Sequence, residues 1–539
     1  MAKPKTPNQK RKYGELNKRL AKYVMLVESI YEDLNLEAAK IVGITDFTID
    51  SDSPFMWSDY PQTRKRIRDL QERFVEDIGS VIYSGTSEEW KNSNEVQDLL
   101  ANKVLQTYGA TIGKEKYEIL YQPNNDALKA FQQRKDKGFT ISDKLWNQST
   151  LYKQELEEAI SCAIQKGTSA ITLSKQISKY LLDFPQLQKD YKERFGKASR
   201  AMDCEYRSIR LAASEINMAY RQAENLRWQQ MDFVVGYEIK LSNNHTCNGK
   251  PSQDICDILA GKYPKDFQWT SWHPLCRCYK IPILKTEEEF WEWDGRNEAT
   301  TASVNEVKDV PDAFKKWVLD NQERISTAKK RNTLPYFLRD NKSVYQKITV
   351  ESSISEIVKR ASSVGDEVQS IAERIAIKNG GYVTPINFKS TTSITRKVIT
   401  EGITPYDIKD AVRTTIIVPK SRIEDVLEEL YKTEGFLRLK RQKPESFMGY
   451  SGNIVNIRTT NGLTAEIQVN TERMIFAKER PEDAKRILGK KRWEEIHNET
   501  GMEGGLGHKY YEQWRILDKS SNEALKIVEK SIEYYSHFR

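Results

Sequence analysis

The spacing of apolar residues changes along this chain of 539 residues, and that change constrains the fold more than any single motif does. Up to about residue 240 the spacing is helical. Leu156, Ile160, Ala163 and Ile164 share a face, Gly167 interrupts, and Leu173, Ile177 and Leu181 resume at one residue in four. Late in the chain the period falls to two. Leu463, Ala465, Ile467 and Val469 alternate with Thr464, Glu466, Gln468 and Asn470, as in a strand with one buried face. A chain this long exceeds what one core serves. The two periods therefore predict a multidomain protein, mainly α at first and α/β with a mixed sheet at the end.

The finer reading divides the chain into a helical region over 1–200, a small α+β subdomain with cysteines over 201–295, a connector with one short helix over 296–350, and the α/β unit over 351–539. The polar, aromatic-rich stretch from Asp46 to Thr63, with Pro54 and Pro61, reads as a long loop. In the last unit Val368, Ile371, Ala372, Ile375 and Ala376 form a helix face, and Thr414 to Val418 is strand-like. Ser421 and Glu424 read as a capping box. Thr459-Thr460-Asn461-Gly462 separates two strand patterns as a hairpin turn would.

Composition sets limits on partners. With 38% hydrophobic and 30% charged residues the chain reads as globular. No apolar run approaches the roughly 18–20 residues that span a bilayer, so neither a membrane partner nor a secretory leader is expected. The net charge of +8 permits an acidic partner without requiring one. Lys3, Lys5, Lys10, Arg11, Lys12, Lys18 and Arg19 suggest a basic arm, either solvated or touching an acidic neighbour or packaged DNA.

Four of the six cysteines fall between Cys247 and Cys278. Together Cys247, Cys256, His273, Cys276 and Cys278 offer five ligands within a short, apolar-poor stretch, and a tetrahedral structural Zn²⁺ would use four of them. Reduced, buried cysteines with a hydrogen-bonded His273 are the alternative. The preceding stretch YRSIRLAASEINMAYRQAENLRW, with Arg210, Ser214, Glu215 and Asn217, leads to Gly236-Tyr237-Glu238 and ends in the HPLCRC of 273–278. Over about 200–285 this resembles the phage Mu F-like minor head (head morphogenesis) proteins. The resemblance implies a virion component inside the capsid near the portal, with portal and capsid proteins as partners and the host cytoplasm as the place of assembly or delivery.

Four pieces of the last unit have a chemical logic. Lys389-Ser390-Thr391-Thr392-Ser393-Ile394-Thr395-Arg396-Lys397 would, on a helix, set 389, 393 and 397 on one face, a basic surface able to grip a triphosphate. Asp410 and Arg413 stand at the entrance of a strand, where a carboxylate suits Mg²⁺. Gly449-Tyr450 follows a basic loop containing Arg438, Lys440, Arg441 and Lys443. Glu466 and Gln468 share the polar face of the period-two strand.

In order and spacing these pieces, with His508-Lys509-Tyr510-Tyr511 after them, resemble the RelA/SpoT-like (p)ppGpp synthetases and their toxic small relatives. The resemblance covers about 360–520. It implies a nucleotidyltransferase-type fold and an ATP:nucleotide (or tRNA) 3'-pyrophosphokinase. Carried over residue by residue, Lys389, Ser393, Arg396 and Lys397 would hold ATP, and Asp410 and Glu466 would hold Mg²⁺. Glu466 would also be the base, Arg413 would neutralise charge, and Gln468 would position the acceptor. Tyr450, Lys443 and His508 would bind that acceptor, a guanine or adenine nucleotide or tRNA. Asn387, Met448 and Asn453 depart from the long synthetases and leave the acceptor open. No hydrolase constellation accompanies these motifs. Three readings follow: a virion-carried synthetase or toxin, a structural head protein with an inactive last unit, or an ordinary cytoplasmic stress synthetase, which leaves the Mu F-like half unexplained.

Overall fold

The computed structural model describes residues 6–43, 53–163, 170–242, 246–247, 250–251, 254–291, 302–445 and 448–539. They divide into two compact units, Met1–Tyr345 and Gln346–Arg539. No described helix is long and apolar enough to cross a membrane.

In the first unit the helices Gln9–Gly43, Arg64–Thr107, Ile141–Ala163 and Cys204–Gln230 pack together. Val27, Tyr31, Leu34, Phe74, Ile78, Tyr152, Leu156 and Ile160 fill the space between them. Gly85 marks a close crossing, because a Cβ there would meet Ile216 at 2.5 Å. Beyond these helices an antiparallel sheet runs in the order Gly261–Tyr263, Val234–Lys240, Tyr279–Leu284.

Several expectations need correction here. The basic arm is helical from Gln9, with Tyr13 and Leu16 buried. Arg11 and Lys12 pair with Glu15, and Arg19 is bidentate on Glu89. Lys3 and Lys5 lie outside the described residues. Of the expected loop, 46–52 lie outside the described residues and 53–63 is irregular with two short 3₁₀ turns, but Phe55 and Trp57 within it are buried and pack edge to face. The expected connector carries helices at Asp312–Asp320, Gln322–Lys330 and Tyr336–Arg339. Phe314 and Phe337 pack against Trp272, so isolated apolar residues among charges bury after all. Glu215 pairs with Arg134 at 2.5 Å and Lys144 at 3.5 Å.

The second unit is a mixed sheet between helices. Its order is Tyr382–Val383, Val412–Ile417, Thr464–Asn470, Gly452–Arg458, Phe436–Gln442, and Asn387–Phe388 also pairs with the second of these. Among the described residues of this sheet, only the contact between Val412–Ile417 and Thr464–Asn470 is parallel. One face is sealed by Val368, Ala372, Ile375 and Ala376 of the helix Gly365–Lys378 and by Val426, Leu427 and Leu430 of Ile423–Tyr431. Ala465, Ile467 and Val469 point into that core as their period requires. On the other face Met474, Phe476, Ile496, Tyr534 and Tyr535 form a smaller cluster. The hairpin turns at Gly462, whose φ of 79° suits glycine. The capping box is not formed: a 3₁₀ turn at Lys420–Arg422 leads into the helix, and Glu424 is bidentate on Arg441. Arg438, Lys440 and Arg441 lie on a strand, not in a loop.

Candidate active site

The strand register places the first part of the site. Glu466 lies directly beside Arg413 across the parallel pair and beside Asn456 across the hairpin, and Asn456 in turn faces Arg438. Register partners point to one side. Arg413, Glu466, Asn456 and Arg438 therefore form a row across four strands, on the face away from the main core. Arg438 Nε donates to Asn456 Oδ1 at 2.7 Å.

Glu466 is held by its own strand. Gln468 Nε2 donates to Glu466 Oε1 at 2.7 Å, and Lys478 Nζ donates to Gln468 Oε1 at 2.9 Å. Gln468 is only 8% exposed, so in this structure it orients Glu466. Lys478 was not read from the sequence. Its signal is a lone ammonium closing the otherwise apolar helical run Met474–Ala477.

Asp410 sits just before the Val412–Ile417 strand and three residues from Arg413. Lys389 Nζ reaches its Oδ2 at 2.5 Å and Lys397 Nζ its Oδ1 at 3.1 Å. Burial would push the Asp410 carboxyl up, but the two ammoniums outweigh it and hold it below the ordinary carboxylate range. The helix is Thr391–Glu401, capped by Ser390, whose Oγ accepts from Ser393 N at 3.2 Å. Lys389 thus precedes the helix instead of sharing its face. It still meets Lys397 at Asp410, because Lys389 N donates to Ala411 O and ties the two segments together.

Lys389, Ser393, Arg396, Lys397, Asp410 and Arg413 line one cavity of about 550 Å³, with Phe388, Tyr511 and Arg515 on its walls. Five of these side chains are cationic, so the cavity favours a polyanion. Phe388 and Tyr511 are 42% and 38% exposed and offer aromatic faces that the sequence reading did not assign to binding.

The three expected acceptor residues do not converge. Tyr450 is buried, packs edge to face on Tyr535, and its hydroxyl accepts from Asn470 Nδ2 at 2.9 Å, so its ring is no open platform. Lys443 lines a different cavity of about 880 Å³, together with Asn453 and Arg492. His508 lines a third, of about 450 Å³, where its Nε2 has no hydrogen-bond partner among the described residues. Motif order along the chain does not report which residues share a pocket.

In the first unit Cys256, Cys276 and Cys278 are buried with their sulfurs within 4.8 Å of one another, and Asp254, Cys256 and His273 form an overlapping cluster. The Cys247 side chain lies outside the described residues.

No family model matches the chain. A curated relative does: the (p)ppApp synthetase toxin Tas1 of Pseudomonas aeruginosa is 36% identical over 181 residues. About a third of this chain is homologous to Tas1, a RelA/SpoT-like domain. The match spans 33% of this chain and 41% of Tas1, so well under two thirds of that relative is represented. A chain in the crystal structure of the complex between the Type VI effector Tas1 and its immunity protein is also 36% identical. The overlap is 35% of this chain and 97% of that one, with a TM-score of 0.33. The Mu F-like resemblance has no counterpart among these relatives.

Proposed function

We propose that the second unit is an ATP-dependent pyrophosphokinase acting on the 3'-hydroxyl of a nucleotide, with an adenine nucleotide as the first acceptor to test. The observation that carries this is the convergence of Lys389, Ser393, Arg396, Lys397, Asp410 and Arg413 on one cavity, with Glu466 in register beside Arg413. The adenine acceptor rests on the name of Tas1, a (p)ppApp synthetase toxin.

In the proposed reaction the 3'-oxygen attacks the β-phosphorus of ATP. The bond from that phosphorus to the α,β-bridging oxygen breaks, AMP leaves, and the 3'-hydroxyl proton passes to Glu466. Lys389 and Lys397 would exchange Asp410 for phosphate oxygens, and the amides at the start of Thr391–Glu401 add donors. Arg413 faces the charge that develops on the transferred group. Asp410 and Glu466 offer the oxygen donors a hard cation prefers, so they are the residues to hold Mg²⁺, which would neutralise the triphosphate. Gln468, backed by Lys478, keeps Glu466 aimed. Little covalent work falls to the protein, and positioning with charge neutralisation supplies most of the rate.

The test incubates the full chain with ATP, Mg²⁺ and, separately, AMP, ADP, GDP, GTP and tRNA, and resolves products by anion exchange. An adenine nucleotide carrying a 3'-pyrophosphate is expected. Transfer to tRNA alone would move the acceptor to RNA, and no transfer to any of them would favour a structural last unit. Because Tas1 is a toxin seen with an immunity protein, expression of the active chain without such a partner is expected to arrest growth.

For the first unit we infer a Mu F-like head role inside the virion, near the portal. Its support is internal: the helix of 206–228 and the HPLCRC loop are bound together by Asn217 and Arg221, which donate to Cys276 O at 2.9 and 2.8 Å. Mass spectrometry of purified phage particles would find the chain in them. Its absence from intact particles would remove the head reading.

A further inference from the structure

The geometry points to a structural zinc centre in the first unit, with Cys256, Cys276 and Cys278 as thiolate ligands and His273 Nε2 as the fourth. Three features carry it.

The first is spacing. Cys256 Sγ and Cys276 Sγ are 3.8 Å apart, and Cys278 joins them in a buried triangle. Tetrahedral zinc with Zn–S bonds of about 2.3 Å sets its sulfurs about 3.8 Å apart. That separation is far beyond a disulfide bond.

The second is the state of His273. Its Nδ1 lies 2.7 Å from Pro274 O. A carbonyl can only accept, so Nδ1 donates to it, and in the neutral ring that leaves Nε2, which also lies 3.5 Å from Asp254 Oδ2, as the ligand atom. That Nε2 lies 3.1 Å from Cys256 Sγ, so Cys256 is shared between the thiol triangle and the cluster that holds His273. A backbone carbonyl fixing the far nitrogen is the usual support of a histidine ligand. Asp254 is the nearby rival, but its Oδ1 already accepts from Cys256 N at 2.7 Å as the cap of the Ile255–Leu259 turn. Sulfur and nitrogen donors also suit zinc better than a single carboxylate would.

The third is a buried cation in direct contact with no carboxylate among the described residues. Arg221 is 1% exposed, and its guanidinium donates to the carbonyls of Thr270, Cys276 and Cys278 at 2.7–2.8 Å. Among the described residues it makes no ion pair. Three thiolates, a neutral imidazole and Zn²⁺ carry one net negative charge, placed beside this guanidinium. The centre would pin the loop of 269–278 to the helix Cys204–Gln230, and it accounts for a cationic side chain buried against the backbone of the cysteines themselves.

The full chain, purified under reducing conditions, is expected to contain about one zinc. Replacing that zinc with Co²⁺ should give a thiolate charge-transfer band and the intense d–d bands of a tetrahedral site. Cys256→Ser, Cys276→Ser and Cys278→Ser should each lose the metal, whereas Cys247→Ser and Asp254→Asn should keep it. His273→Cys should retain cobalt with a stronger charge-transfer band, and His273→Ala should weaken binding. Should the serine variants fail to fold, titrating wild-type thiols with a mercurial while following zinc release gives the same answer, with the metal leaving as three thiols react. A wild-type chain that stays metal-free after reconstitution would overturn the centre. Loss of zinc in Cys247→Ser with retention in His273→Ala would overturn the fourth ligand.

Discussion

Replacing Asp410 by Asn should destabilise the second unit, and only at pH values where the carboxylate is charged. Asp410 receives one lysine on each oxygen and keeps only 13% of its side chain exposed. Removing one partner of a buried pair costs about 3–5 kcal/mol. Here the lysines retain 20% and 27% exposure, so water screens part of the charge left behind, and about 1–3 kcal/mol is the better expectation. For a unit of this size that corresponds to a fall of roughly 3–10 °C in Tm. The sign with pH follows from the lowered carboxyl, which burial would raise but Lys389 and Lys397 pull down from 3.8. Stability from such a group is complete above its unfolded value and is lost as pH falls through the folded one. Calorimetry of wild type and Asp410→Asn should therefore show a constant gap from about pH 8 to pH 5, narrowing below about pH 4. A variant as stable as wild type at neutral pH, or a gap that widens on acidification, would refute this reasoning.

Other outcomes follow from the same contacts. Gln468→Leu should lower kcat for pyrophosphate transfer about tenfold or more while the KM for ATP changes little, since Gln468 aims Glu466 rather than gripping phosphate; an unchanged kcat would separate Gln468 from the base. Lys478→Met should act in the same direction and more weakly, read by the same kcat and KM split. In the first unit Lys280 and Glu224 are an ion pair at 3.2 Å with neither side chain exposed. Lys280→Met alone should cost about 3–5 kcal/mol in denaturant unfolding, and the double change Lys280→Met with Glu224→Leu should recover most of it. Additive losses would contradict a shared pair.

The second unit was the more legible part because its signals are local. The alternation over 463–470 fixes which face of the strand holds Glu466, and the hairpin and the Gly365–Lys378 helix face both appear where their periods put them. Convergence of Lys389, Lys397 and Asp410 was also foreseeable as a cluster, although Lys389 lies outside the helix assumed for it. What the sequence could not convey was partition among cavities. Tyr450, Lys443 and His508 are close in motif order, yet one is core and the others line separate cavities, since long-range packing decides where each points. The region of 302–345 misled for a related reason: its few apolar residues look too sparse for a core until Phe314 and Phe337 meet the aromatics of 263–272.

Glu466→Gln is the most direct test of the central claim. The substitution preserves size and hydrogen bonding to Gln468 while removing charge and basicity. Transfer of label from γ-labelled ATP to the acceptor, measured with the full chain and Mg²⁺, should fall on the order of 10²-fold or more, with ATP binding retained in equilibrium measurements. Glu428→Gln, at an exposed surface pair with Lys432, should leave transfer unchanged. Transfer at the wild-type rate by Glu466→Gln would contradict the assignment of Glu466, and a wild-type chain that moves no label to any nucleotide or tRNA would contradict the account as a whole.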